Sequence, residues 1–283
     1  MEADLGGASK FTNIKKSNPE NFIQCGISEA NMIGVGCGLS SEGFIPYVHT
    51  FGPFATRRVY DQIYLSGAYA HNTINIYGSD PGFTVGPNGG THTTWEDVAL
   101  MREIPGSIIV DPCDETQTRW VVKELSKHEG VHYIRANRKD VRNVYTPDST
   151  FELGKGNVLR EGKDILIIVS GQLVSDALDC AEKLVEEGYS VEVIDMYCIK
   201  PLDIDLVLSE SKGKKAVVTF ENHSIYGGLG SAVAEVLMEN GVNVPFKRHG
   251  VDERFGQVGT PDFLQKEFQL TADDLYRTIK SMI

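Results

Sequence analysis

The chain has 283 residues, of which 41% are hydrophobic and 23% charged, with a formal net charge of -12 and a pI near 5.1. That is enough apolar content for two α/β domains of ordinary size, and the acidic balance excludes general binding to nucleic acid or an anionic membrane. Five cysteines without a CxxC pair or a Cys/His cluster suggest neither a disulfide framework nor a zinc site and fit a reducing cytoplasm best, while no apolar run reaches membrane-spanning length and the acidic start reads as no signal peptide.

Residues 1–7 read as the tail of a strand entering a glycine turn, with the earlier part of that strand missing. Residues 25–39 follow, with Ser28 placed to cap a helix, Glu29 at its mouth, and Ala30, Gly34, Gly36 and Gly38 along it. Each interior glycine costs a helix on the order of 1 kcal/mol, so this one is expected to let a neighbour approach closely and to hold Glu29 partly desolvated. A carboxylate favoured by the helix dipole is the structural alternative. Residues 44–49 read as a short buried strand, ending in a turn that carries Phe51 and Phe54. Residues 56–70 follow a helical period with Val59, Ile63, Tyr60 and Tyr64 on one face, and residues 73–77 form a strand.

The breaker-rich residues 78–92 are long enough to be a functional loop, and they deliver His92. A strand at 107–110, a helix from about 114 to 126 and a strand at 131–135 complete the alternation. Residues 141–150 read as a linker between a domain of residues 1–140 and one of residues 151–283. The second half repeats the pattern, with strands at 164–170, 190–196, 215–220 and 244–249 and a helix striped by Leu173, Ala177, Ala181 and Leu184. Such alternation implies two domains, each a mainly parallel sheet flanked by helices. Gly227–Gly230 opens a further helix; it resembles a phosphate-binding turn, with close packing as the alternative.

With these segments in place, the chain resembles the pyrimidine-binding and C-terminal domains of the transketolase family of thiamine diphosphate enzymes. The resemblance is carried, in order, by Ala3-Asp4-Leu5, Gly26-Ile27-Ser28-Glu29, Thr50-Phe51-Gly52-Pro53-Phe54, Gly89-Gly90-Thr91-His92 and Gly227-Gly228-Leu229-Gly230. It is closest to the C-terminal subunit of split transketolases. It implies that Glu29 hydrogen-bonds N1′ of the cofactor's aminopyrimidine, favouring the imino form that deprotonates the thiazolium carbon. It also implies that Phe51 and Phe54 hold that ring flat, that Asp4 and Leu5 lie near the thiazolium, and that His92 contacts sugar hydroxyls or the developing alkoxide. Arg138, or else Arg135, would hold the sugar phosphate; a solvated strand end is the alternative reading of both.

Two departures shape the functional expectation. Asn88 stands where transketolases commonly have an aspartate that reads a sugar hydroxyl, which leaves the substrate open. No Gly-Asp-Gly segment with a following Asn occurs, so Mg²⁺ and the diphosphate are expected on an N-terminal partner subunit, in a heterotetramer active only as a whole. The activity implied is transfer of a two-carbon ketol unit from a ketose phosphate to an aldose phosphate. A deoxyxylulose-phosphate-synthase-like subunit, a 2-oxoacid dehydrogenase β subunit and a noncatalytic scaffold of the same fold are the alternatives.

Overall fold

The computed structural model describes residues 1–137 and 140–283. Two five-stranded sheets organise the chain. The first contains β1 (Tyr47–Phe51), β2 (Ile74–Ser79), β3 (Ile108–Val110), β4 (Val131–Ala136) and β8 (Cys198–Lys200), in the order β1-β2-β4-β3-β8. The second contains β5 (Asn157–Arg160), β6 (Ile165–Val169), β7 (Val191–Asp195), β9 (Ala216–Ser224) and β10 (Phe246–Val251), in the order β10-β9-β6-β7-β5. Pairing is parallel except at one edge of each sheet, where β8 runs antiparallel to β3 and β5 antiparallel to β7. Both faces of the central strands are covered, so β4 and β6 are buried along their whole length.

The expected α/β architecture is present, with local differences. Residues 44–46 do not join the first strand; Phe44 and Ile45 are exposed, and β1 begins at Tyr47. The helical period over residues 56–70 is broken into a 3-10 turn (Arg57–Val59), one α-turn (Tyr60–Gln62) and a π-helix (Ile63–Tyr69). Glu2 bridges both Gln24 and His49, so the first residues do run beside β1. β8 comes from residues 151–283 yet completes the first sheet, so the two halves share a strand.

Contacts across that boundary are polar and buried. Arg135 donates from Nε to Asp97 Oδ2 at 2.7 Å, and from Nη2 to the Asn222 carbonyl at 2.6 Å. Ser170 donates to Asp111 Oδ2 at 2.8 Å. The Asn222 side chain closes on residues 81–83, donating to the Pro81 carbonyl and accepting from Phe83 N–H. A Cβ on Gly82 would stand 2.0 Å from Asn222 Oδ1, so only glycine fits there. The 141–150 segment is pinned on both sides, since Val144 and Tyr145 N–H groups donate to Asp114, and Tyr145 OH donates to Asp195.

At the start of the Leu229–Glu239 helix the acceptor is the chain's own carboxyl group. Glu221 accepts from Leu229 N–H at 2.7 Å and Gly230 N–H at 2.9 Å, and its carboxylate fills the space a Cβ on Gly228 would need. The close-packing reading of Gly227–Gly230 therefore holds.

Asp195 gives this frame a pH signature. Burial pushes its carboxyl up to about 7, against the hydrogen bonds from Gln117 and Tyr145 that pull it down. A carboxyl with a raised folded value contributes stability that is complete below its unfolded value and lost as pH rises through about 7. Asp195→Asn removes that loss. Its stability relative to the wild type is expected to rise by about 2 to 4 kcal/mol between pH 4 and pH 8. Urea midpoints of both proteins across that range check this; a constant difference would refute it.

Candidate functional site

Three of the expected residues meet at the C-terminal end of β1. The strand carries Phe51 into the core and runs straight into a single helical turn, Gly52–Ala55, with Pro53 at its second position, which presents Phe54. Gly52 is required here, because a Cβ would stand 2.7 Å from Thr94 Cγ2. His92 comes from the glycine loop, and its N–H donates to the Gly89 carbonyl at 3.0 Å. Its ring meets Phe54 edge-on at 5.1 Å and Phe51 at 6.1 Å, while the two phenylalanine rings lie 6.3 Å apart and 21° from parallel.

Glu29 joins this group through a residue that the sequence reading missed. It is the first residue of the Glu29–Ser41 helix and is buried. Ser28 occupies the cap position, but its side chain makes no capping hydrogen bond. Gly36 packs closely on β1 and β2, where an added Cβ would lie 3.2 Å from Ile74 and 3.4 Å from Val48, whereas Gly34 and Gly38 meet nothing within 4 Å. Arg58 donates from Nη1 to Glu29 Oε1 at 2.7 Å, and its guanidinium carbon lies 3.8 Å from the Phe54 ring centroid. The only local signal for it was a pair of arginines just after the aromatic turn.

This arrangement tests whether the residues suit an aminopyrimidine. That ring needs a carboxylate in its plane and an aromatic face against it. In the free chain a planar, N–H-bearing guanidinium already satisfies the same carboxylate and the same phenylalanine, so the donor set fits a flat, nitrogen-rich group.

The remaining expected residues lie apart. Asp4 is exposed in the left-handed region (φ 62), and its N–H donates to Gln24 Oε1 at 3.2 Å. Leu5 N–H donates to the Glu2 carboxylate, which is buried against His49. Asn88 is exposed at the end of the Gly82–Asn88 turn, four positions before His92. Arg138 lies outside the described residues. Arg135 is 2% exposed and held by Asp97, Asp111 and the Asn222 carbonyl, which leaves its guanidinium turned inward rather than toward a sugar phosphate. Burial pushes the Asp97 carboxyl up, but Arg135 and His223 outweigh it and hold the group below the usual range. A cavity of about 710 Å³ opens at the ends of β2, β3 and β4, lined by Tyr77, Asp114, Arg119 and Asn137, and includes none of the expected site residues among the described ones.

The family model described as "Transketolase, pyrimidine binding domain" matches residues 1–144, and "Transketolase, C-terminal domain" matches residues 154–275. The chain belongs to the transketolase family. It is 44% identical over 277 residues to a 6-deoxy-6-sulfo-D-fructose transketolase subunit, SqwH, of Clostridium sp. (strain MSTE9), covering 98% of this chain and 86% of that one. It is 38% identical over 281 residues to a putative transketolase C-terminal section of Methanocaldococcus jannaschii, covering 99% and 88%. A solved structure, "Split gene transketolase, inactive beta4 tetramer", superposes with a TM-score of 0.91 at 40% identity, covering 99% of this chain and 90% of that one. The chain is thus the C-terminal subunit of a two-component transketolase, its pyrimidine-binding match followed by a C-terminal match whose β8 completes the first sheet.

Proposed function

We propose that this chain supplies the activating half of a transketolase site whose diphosphate and Mg²⁺ are held by an N-terminal partner subunit, in a cytoplasmic heterotetramer. The observation that carries this reading is the convergence of Glu29, Phe51, Phe54 and His92. A scaffold has no use for a buried carboxylate facing an aromatic wall and a histidine.

Bound thiamine diphosphate supplies the nucleophilic thiazolium carbon for ketol transfer. Glu29 holds a proton at N1′ of the aminopyrimidine, and Phe51 and Phe54 keep that ring flat against the site wall. Arg58 must first turn away; its side chain is 45% exposed, so it can reach solvent. His92 hydrogen-bonds donor hydroxyls and stabilises negative charge on the sugar oxygen. Arg138 is assigned to the anionic end of the sugar, Asn88 to a substrate hydroxyl, and Asp4 and Leu5 to the thiazolium side.

Reconstitution tests this. Ketol transfer should require this chain, the partner, thiamine diphosphate and Mg²⁺ together, with no turnover when any one is omitted. Turnover of a ketose phosphate by this chain alone would refute the split site. A 6-deoxy-6-sulfo sugar belongs in the donor panel, because the 44% identical relative is named for one. Release of CO₂ from a 2-oxoacid would favour a synthase or dehydrogenase instead.

A further inference from the structure

His92 follows Gly89, Gly90 and Thr91, and glycines have no side chains with which to hold their own position. The C-terminal domain holds it for them. The segment from 252 to 260, between β10 and the Pro261–Glu267 helix, lies directly against the glycine loop. A Cβ on Gly90 would stand 2.2 Å from the Gly256 carbonyl oxygen, and one on Gly89 would stand 2.7 Å from Val258 Cγ2. A Cβ on Gly256 would stand 2.3 Å from Thr93 Oγ1 and 2.4 Å from Thr93 Cβ. Three positions that admit only glycine therefore interlock the two segments, Gly90 against the Gly256 backbone, Gly89 against the Val258 side chain and Gly256 against the Thr93 side chain.

Both sides of this contact are anchored. On the site side Thr93 is buried, and its hydroxyl donates to the Gly89 carbonyl at 3.1 Å, the same oxygen that accepts from His92 N–H. Movement of Thr93 or Gly90 is thus passed to His92, which lies between them with Thr91. On the outer side Arg254 donates to the Glu267 carbonyl at 2.9 Å and lies over Phe268, which meets Trp95 at 4.9 Å.

We infer that the Gly256 loop of the C-terminal domain is a positioning element for His92, setting the imidazole against Phe51 and Phe54. This rests on the role proposed above for His92, and it gives the C-terminal domain a part in turnover.

Gly256→Ala in the reconstituted enzyme is expected to lower kcat about 100-fold, as a misplacement near 1 Å does. The affinity for thiamine diphosphate, which His92 does not hold, should change less than about threefold. In the free chain the same substitution should move the ¹³Cε1 NMR signal of His92, whose shift is set by the two phenylalanine rings. Thr93→Gly removes the atoms that the new methyl would meet, so in that background Gly256→Ala should cost less than about tenfold. Equal losses in the two backgrounds, or parallel loss of cofactor binding, would mean general damage and overturn the inference. His92→Ala is measured beside it. If that variant loses turnover while Gly256→Ala keeps both kcat and the NMR signal, the positioning role fails and the role of His92 stands; if His92→Ala keeps full turnover, both fail.

Discussion

Glu29→Ala is expected to lower turnover of the reconstituted enzyme about 1,000-fold, within the range for a positioned acid or base, and to leave the fold intact. The carboxylate is buried, and its partner in the free chain, Arg58, has a side chain 45% exposed. Removing that pair should cost less than about 1 kcal/mol of stability. An unchanged circular dichroism spectrum with lost turnover separates a chemical role from a structural one, and a variant with full turnover would end the assignment. Arg58→Met should act in the opposite direction. The guanidinium competes for both Glu29 and Phe54, so replacing it should tighten thiamine diphosphate binding about fivefold, given the small energies of an ion pair and a cation–π contact whose arginine is half-exposed. Weaker binding would make Arg58 a cofactor ligand instead of a placeholder.

The largest effect on stability is expected at Asp97. Asp97→Ala leaves the Arg135 guanidinium 2% exposed with its nearest carboxylate gone, and the Tyr133 hydroxyl loses its acceptor at 2.8 Å. Breaking a buried pair from one side costs about 3 to 5 kcal/mol. The surviving contacts to Asp111 and the Asn222 carbonyl place this case near 3 kcal/mol. A urea titration measures it, and a change below about 1 kcal/mol would mean that Arg135 finds water or another partner. Because Arg135 joins β4 to β9, the loss should also loosen the two domains against each other, read as faster amide exchange at Asn222 and Phe83.

Much of the candidate site could be picked out in the sequence because its residues sit at places that local chemistry marks. Glu29 opens a helix of unusually small residues. Phe51 and Phe54 flank a Gly-Pro turn at a strand end, and His92 ends a loop too rich in glycine to be a core element. Arg135 was misread for a physical reason: an arginine at the end of a strand next to a charged segment has the same local signature whether it faces solvent or an aspartate 38 positions away. Arg58 was overlooked on the same ground, since nothing within a few residues of it indicates Glu29. β8 escaped notice because three residues carry too little periodicity to declare a strand, and its pairing with β3 is distant in sequence.

The alternation of strands and helices, the α/β class and the family's motifs are properties of short stretches, set by periodicity, turn residues and burial preference, and the sequence alone determined them. Partnerships were decided by the tertiary structure. Only folding brings Arg58 between Glu29 and Phe54, turns Arg135 into a clasp between domains, and sets Gly256 of the last third of the chain against the loop that carries His92. These depend on which surfaces meet between residues far apart along the chain, and no local pattern encodes a distance of that kind.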